Sequence, residues 1–304
     1  MTTRSRRQMI GITLVIVSSI CFAVVPNSAK MALDDGASLF FLLMARFIIG
    51  AVLLLPIMVL TKSSMVVTRQ HIPKVMVTSV MALGLLVATY HAVDFIDIGL
   101  VLLILYSFPI GVALLAQIKG REKLSRARWL CMVMVLVGLA VMIYDGQGDI
   151  NSYGILVSVL GLICFVFFIE TSSDLVMVLG AKTLNFYISL FGLAVMIGVW
   201  LMPEFMRFGL MTSEFIPPET PIGAMSVGLN GVFYIVSWVL FFEGARIVGA
   251  TRASLMACVE PLFAALLALA VLGQHLSAVE WAGFFIVLGA IYGFERLRIK
   301  QVLP

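Results

Sequence analysis

The chain has 304 residues, 62% of them apolar and only 12% charged, with a mean hydropathy of +1.12 and a formal charge of +4. A soluble chain of this length leaves a large share of its surface wet, and this one lacks the polar residues to cover it, which excludes a soluble globule. The cation excess does not make a nucleic-acid surface either, because the cations fall in short segments between apolar runs. What remains is an all-α membrane protein.

A membrane span needs roughly 20 apolar residues, and the chain offers ten such runs in order. They are span 1 (9–29), span 2 (38–60), span 3 (75–94), span 4 (98–118), span 5 (127–144), span 6 (153–172), span 7 (184–202), span 8 (222–242), span 9 (249–271) and span 10 (279–296). Span 1 follows Arg4, Arg6 and Arg7 as a signal peptide would, but it lacks a small-residue cleavage site and is long enough to cross, so it is expected to stay as a helix. With the N-terminus inside, the inner segments hold seventeen of the 20 Lys and Arg; only Lys30 and Arg207 fall outside, and Arg46 lies within span 2. That bias predicts both termini in the cytoplasm of a cell with this protein in its inner membrane. The basic loop "KGREKLSRAR" (119–128) is then expected against anionic lipid headgroups.

Cys21, Cys131, Cys164 and Cys258 sit inside apolar runs without CxxC spacing, and the histidines (His71, His91, His275) are far apart. Neither pattern holds a metal or a disulfide. No Gly-rich phosphate loop is present, so neither a metal nor any other cofactor is expected.

The second half repeats the first at an offset of 152. "PIGVALLAQIKGREKLSRARW" (109–129) aligns without gaps to "PLFAALLALAVLGQHLSAVEW" (261–281), with Pro109, Ala113, Leu124, Ser125 and Trp129 matching Pro261, Ala265, Leu276, Ser277 and Trp281. Apolar bias explains shared Leu and Ala but not Pro, Ser and Trp in register. The repeat divides the chain into residues 1–146, with spans 1–5, and 147–304, with spans 6–10. Five is an odd number, so the halves are expected to cross in opposite senses. That inverted arrangement is one secondary transporters use, with substrate near the midplane between the halves.

These residues resemble the drug/metabolite transporter superfamily, specifically its EamA-type ten-helix exporters. The resemblance is carried by "P-x3-ALLA…REKLS-x3-W" and "EP-x3-ALLA…LGQHLS-x3-W", by "ARFIIGA" (45–51), by Lys30, and by "GARIVGATRASL" (244–255). Glu122 fits the acid such chains carry before a Leu-Ser pair, whereas Gln274 stands in its place in the second repeat, so no role for a second acid carries over. The resemblance implies two EamA repeats, an inner-membrane carrier exporting small metabolites such as amino acids, and a cavity walled by spans 1, 3, 4, 6, 8 and 9. The family pattern also places an Arg at the position of Arg46, which implies an architectural role there, in partnership with an acid or a helix end.

Polar residues at membrane depth are candidates for function, because facing lipid they are costly. Asn230, Tyr234, Ser237 and Trp238 recur at i, i+4, i+7 and i+8 along span 8, a stripe suited either to a cavity wall or to bonding between helices. Tyr106 and Ser107 precede Pro109 in span 4, where the proline should bend the helix, and Pro261 marks the same bend in span 9. Asn27, Tyr90 and His91 lie in the outer thirds of spans 1 and 3, as vestibule candidates. Glu170 is expected to be solvated at the inner end of span 6. Glu260 is the acid beside Pro261; it aligns with Phe108, so the repeat does not require it, and it could bond a carbonyl freed by the bend or serve as a substrate or proton site. The leading expectation is a secondary carrier for a small amphipathic, amino-acid-like metabolite, exported by alternating access, with proton exchange at Glu260 or downhill flux as the energy source. A carrier for an organic anion, vitamin or nucleotide-type solute, countered by Arg46 or Lys30, is the alternative. An integral-membrane enzyme is least supported, since no catalytic constellation stands at the interface.

Overall fold

The computed structural model describes residues 3–143, 151–201, 214–272 and 277–302. Arg207, Gln274, His275 and Leu276 lie outside them. Regular structure among the described residues is helical: α1 (Thr3–Asp34), α2 (Leu39–Leu60), α3 (Ile72–Val93), α4 (Ile98–Leu105), α5 (Phe108–Ile118), α6 (Arg126–Ile143), α7 (Ser152–Leu179), α8 (Ala181–Leu201), α9 (Pro221–Val248), α10 (Ala250–Ala257), α11 (Glu260–Leu272) and α12 (Ala278–Val302). Counting α4 with α5 and α10 with α11, ten helical segments are long and apolar enough to cross a membrane. Large apolar side chains such as Val52, Leu60 and Ile118 face outward, where lipid would meet them.

The helices run further than hydropathy alone suggested. α7 continues through Leu179 and α9 through Val248, because packing against neighbouring helices overrides the weak helix propensity of "TSSD" and of Gly244 in "FEGAR". Each of these helices joins its successor through one glycine, Gly180 at φ 80° and Gly249 at φ 92°, a backbone conformation that L side chains rarely adopt.

Spans 4 and 9 break where the repeat places their prolines. α4 starts at Ile98, ends at Leu105 and is succeeded by α5 at Phe108; α10 starts at Ala250, ends at Ala257 and is succeeded by α11 at Glu260. All three positions correspond at the offset of 152. The cause is the same in both halves: Pro109 and Pro261 have no N–H for the carbonyls of Leu105 and Ala257, and their rings push against those carbonyls. The turn before each proline tightens in response. Ser107 N and Oγ both donate to Ile104 O, at 3.1 and 2.6 Å, and Val259 N donates to Met256 O at 3.2 Å.

Four antiparallel helix pairs build the bundle. α1 lies along α9, from Gly11 against Val248, through Ser18 Oγ donating to Ser237 O at 2.9 Å, to Thr220 Oγ1 donating to Asp35 Oδ1 at 2.8 Å. α3 lies along α7, from Thr78 bonded to Thr171 at 2.9 Å, through Gly84 against Cys164, to His91 against Tyr153. α2 pairs with α8 where Gly50 meets Ser189 and Gly192 meets the Phe47 ring. α6 pairs with α12 at Gly138 and Gly283, whose backbones approach so closely that a Cβ on Gly283 would stand 2.6 Å from Gly138 O. Small residues at each crossing are what close packing without a hydrophobic driving force requires. Exchanging the halves converts the α1–α9 pair into the α7–α3 pair and leaves the other two pairs in place.

Candidate functional site

A cavity of about 230 Å³ opens between the two helix breaks. α1 supplies Phe22; α3 supplies Ala82, Leu85, Leu86, Thr89 and Tyr90; α4 supplies Leu102 and Leu105. Tyr106 comes from the first break, Phe108 from α5, Phe165 and Ile169 from α7, Tyr234, Trp238 and Phe241 from α9, Ala257 from α10 and Glu260 from the start of α11. These helices are spans 1, 3, 4, 6, 8 and 9, the set the resemblance implied.

The breaks face one another. Tyr106 lies in the first, Glu260 opens the helix after the second, and the Tyr106 hydroxyl interacts with the Glu260 carboxyl. Equivalent backbone positions thus deliver unlike chemistry: Phe108 in one half, a carboxyl in the other. Toward the cation-rich end the wall is aromatic. Phe108 stacks on Phe165 at 4.2 Å between centroids; Phe22 and Phe168 each meet the Trp238 indole edge-on at 4.9 Å; Trp238 stacks on Phe242 at 5.4 Å. The indole Nε1–H makes no hydrogen bond of good geometry and lies near the Tyr234 hydroxyl.

Five of the residues singled out from the sequence meet in this wall: Tyr90, Tyr106, Tyr234, Trp238 and Glu260. The other five do not reach it. Asn230 is fully buried, accepting from Arg46 Nε at 3.0 Å and donating to Val25 O at 2.8 Å. Ser237 donates to Phe233 O, while its own carbonyl accepts from Ser18. Ser107 bonds Ile104 O within the break, and Asn27 bonds Ala23 O one turn back. His91 sits among Tyr153, Phe95 and Asp94 at the C-terminal end of α3. A helix turns about 100° per residue, so Asn230 and Ser237 point within about 20° of each other while Tyr234 and Trp238 lie about 40° and 80° further round. One stripe therefore serves two surfaces, the first pair facing α1 and α2 and the second pair facing the cavity.

Two further sequence expectations change. Arg46 is 4% exposed and finds no acid among the described residues; its guanidinium bonds the Asn230 amide and lies 4.5 Å over the Tyr234 ring. Glu170 is not solvated but 2% exposed, because α7 extends past it and brings it under the loop after α5. Its Oε1 accepts from Lys119 Nζ at 2.9 Å and from Arg121 Nη1 at 2.8 Å, and Arg121 also forks onto Asp174. The Asp174 hydrogen bonds hold the Arg121 guanidinium above its ordinary pKa. This cluster ties the first half to the second beneath the aromatic floor. Lys119 and Arg121 are 40% and 47% exposed, so water already shares the cations. Glu170→Gln is therefore expected to cost only about 1 kcal/mol, read as a small drop in melting temperature in detergent; the difference between wild type and variant should shrink as salt is raised.

The wall residues that the sequence did not single out, Phe22, Ala82, Phe165 and Phe241 among them, are apolar residues within apolar helices and offer no contrast to read. Thr89 is polar, but its hydroxyl bonds Leu85 O and looks like any helical threonine.

Residues 9–144 and 152–295 both match the EamA-like transporter family. The chain belongs to that family. An EamA-like chain is a multi-pass membrane transporter and not an enzyme. Among curated proteins, it is 32% identical over 90 residues to the uncharacterized inner membrane transporter YicL of Salmonella typhimurium; that match covers 27% of this chain and 30% of the relative. One solved crystal structure superposes with a TM-score of 0.76 over 97% of this chain and 99% of the other, at 14% identity, a likeness of fold alone.

Proposed function

We propose that this EamA-like protein is a secondary carrier that exports a small amphipathic metabolite across the inner membrane by alternating access. The observation that carries the reading is the meeting of the two proline breaks at one cavity. Helices bent at corresponding places in two halves can exchange geometry, opening the cavity to one side and then the other. The halves are residues 1–146 and 147–304, crossing in opposite senses with both termini cytoplasmic. The charge count supports that orientation, the two family matches flank the proposed boundary, and the likeness to an inner membrane transporter of Salmonella supports the inner membrane. The polar end of the solute meets Glu260, Tyr106, Thr89 and Trp238, and its apolar body the surrounding rings, with proton exchange at Glu260 as the driving step. The organic-anion alternative has less support: Arg46 is engaged by Asn230 and Tyr234, and Lys30 lies exposed on α1 away from the cavity wall.

Ala82 lines the cavity from α3 and is suited to a blocking test. Ala82→Trp is expected to lower counterflow of labelled phenylalanine or phenethylamine, whichever the wild type exchanges, in proteoliposomes by roughly tenfold or more, equivalent to about 1.4 kcal/mol, with little change in melting temperature. Unimpaired counterflow in the folded variant would place the pathway elsewhere.

A further inference from the structure

We propose that the cavity selects an organic cation, a protonated or quaternary amine on an apolar body of metabolite size, with Glu260 as its counter-ion. The proposal rests on the cavity being the transport site and goes beyond it by fixing the charge of the solute.

The first ground is an imbalance. Four other glutamates hold a cation within the chain: Glu122 holds Arg128, Glu170 holds Lys119 and Arg121, Glu243 holds Arg246, and Glu295 holds Arg252. Among the described residues Glu260 has none, and its polar neighbour is the Tyr106 hydroxyl. A carboxylate at membrane depth among apolar side chains without a counter-charge is costly, so this position either stays protonated or takes its cation from outside.

The second ground is the composition of the wall. Among the described residues no Lys, Arg or His lines the cavity, whereas eight aromatic side chains do. Ring faces attract cations, most strongly indole, and an acid set among them is a pattern that recognises ammonium groups. Arg46 shows the interaction within the protein, since its guanidinium already covers the Tyr234 ring. The faces of Trp238, Tyr106 and Tyr90 carry no such cation among the described residues.

The third ground concerns anions. A carboxylate or phosphate entering here would lie beside Glu260 with no basic side chain in the wall to receive it. Arg46, the nearest cation by its contact with Tyr234, spends Nε on Asn230. Binding can be written without a charge left over. The Glu260 O–H bond breaks, the proton passes to water on the side the cavity faces, and the ammonium takes its place. The titratable and charged groups bearing on this exchange are Tyr106 from the first break, Cys258 beside Glu260 in sequence, and Tyr234, Tyr90 and Arg46 on the α2, α3 and α9 side.

The test uses four probes that share one ring: phenethylamine, phenethyl alcohol, phenylalanine and hydrocinnamate, titrated calorimetrically into the detergent-purified full chain. Phenethylamine is expected to bind roughly tenfold or more tighter than the alcohol, and hydrocinnamate more weakly than either. Glu260→Gln should bring the amine down to about the affinity of the alcohol, and an unchanged melting temperature in detergent shows that the variant is folded. Equal binding of amine and alcohol, or an amine advantage that survives Glu260→Gln, overturns the charge assignment while leaving a solute cavity in place. Binding by none of the four overturns it too, and the Ala82→Trp counterflow then decides the carrier reading separately.

Discussion

In proteoliposomes with an imposed pH gradient, Glu260→Gln is expected to abolish uphill accumulation of solute. Gln keeps the size of the side chain and can still meet the Tyr106 hydroxyl, but it has no proton to release. If one proton exchanges for one solute, a tenfold proton gradient sustains about a tenfold solute gradient, equivalent to about 1.4 kcal/mol. Without exchange the ratio falls to about one at any pH difference, because nothing then links the two fluxes. Downhill counterflow should persist in the variant at raised solute concentration, since the cavity and both helix breaks remain. Glu260→Asp should retain part of the coupling, as the acid survives one methylene shorter. Uphill accumulation by Glu260→Gln equal to wild type would end the proton role, whatever the charge of the solute.

The same residue shows how far a repeat can be read. Prolines in register predicted two equivalent bends, and the helices do break at corresponding residues, because the missing N–H and the ring clash are local and independent of packing. What the bend presents is not set by the repeat. Phe108 and Glu260 occupy equivalent places, and only the second can carry charge. Tyr106, Tyr90, Tyr234 and Trp238 were visible because a polar or amphipathic side chain stands out in an apolar helix. Phe22, Phe165 and Ala82 were not, since whether such a residue faces lipid, core or cavity depends on rotation fixed by distant helices. Glu170 was misread for a related reason. The hydropathy of span 6 drops at "TSSD", which marks an end there, yet α7 continues and places the acid under Lys119 and Arg121. The orientation of span 8 was the finest detail lost: a stripe of four polar residues is visible, but not that its two edges face different partners.

That divided stripe leads to the second large effect. Asn230→Leu is expected to destabilise the protein by about 2–4 kcal/mol, because it strands a buried cation rather than merely deleting a hydrogen bond. The Asn230 amide does two things at once. Its oxygen accepts from Arg46 Nε at 3.0 Å, and its nitrogen donates to Val25 O at 2.8 Å, pinning α2 and α1 to α9 through one side chain. Neutral hydrogen bonds between membrane helices average only about 0.6 kcal/mol, since polar groups find other partners in the unfolded state within the membrane. A guanidinium 4% exposed has fewer substitutes, and the Tyr234 face alone satisfies none of its donors. The check is a double-mutant cycle on melting in detergent. Arg46→Leu alone leaves the Asn230 oxygen unpaired and costs about 1–3 kcal/mol. The Arg46→Leu, Asn230→Leu double variant removes both partners and should lose less than the sum, by about 1 kcal/mol or more. Strict additivity would mean that the two side chains stabilise the bundle separately, and Arg46 would then need another partner to account for its burial beside the cavity.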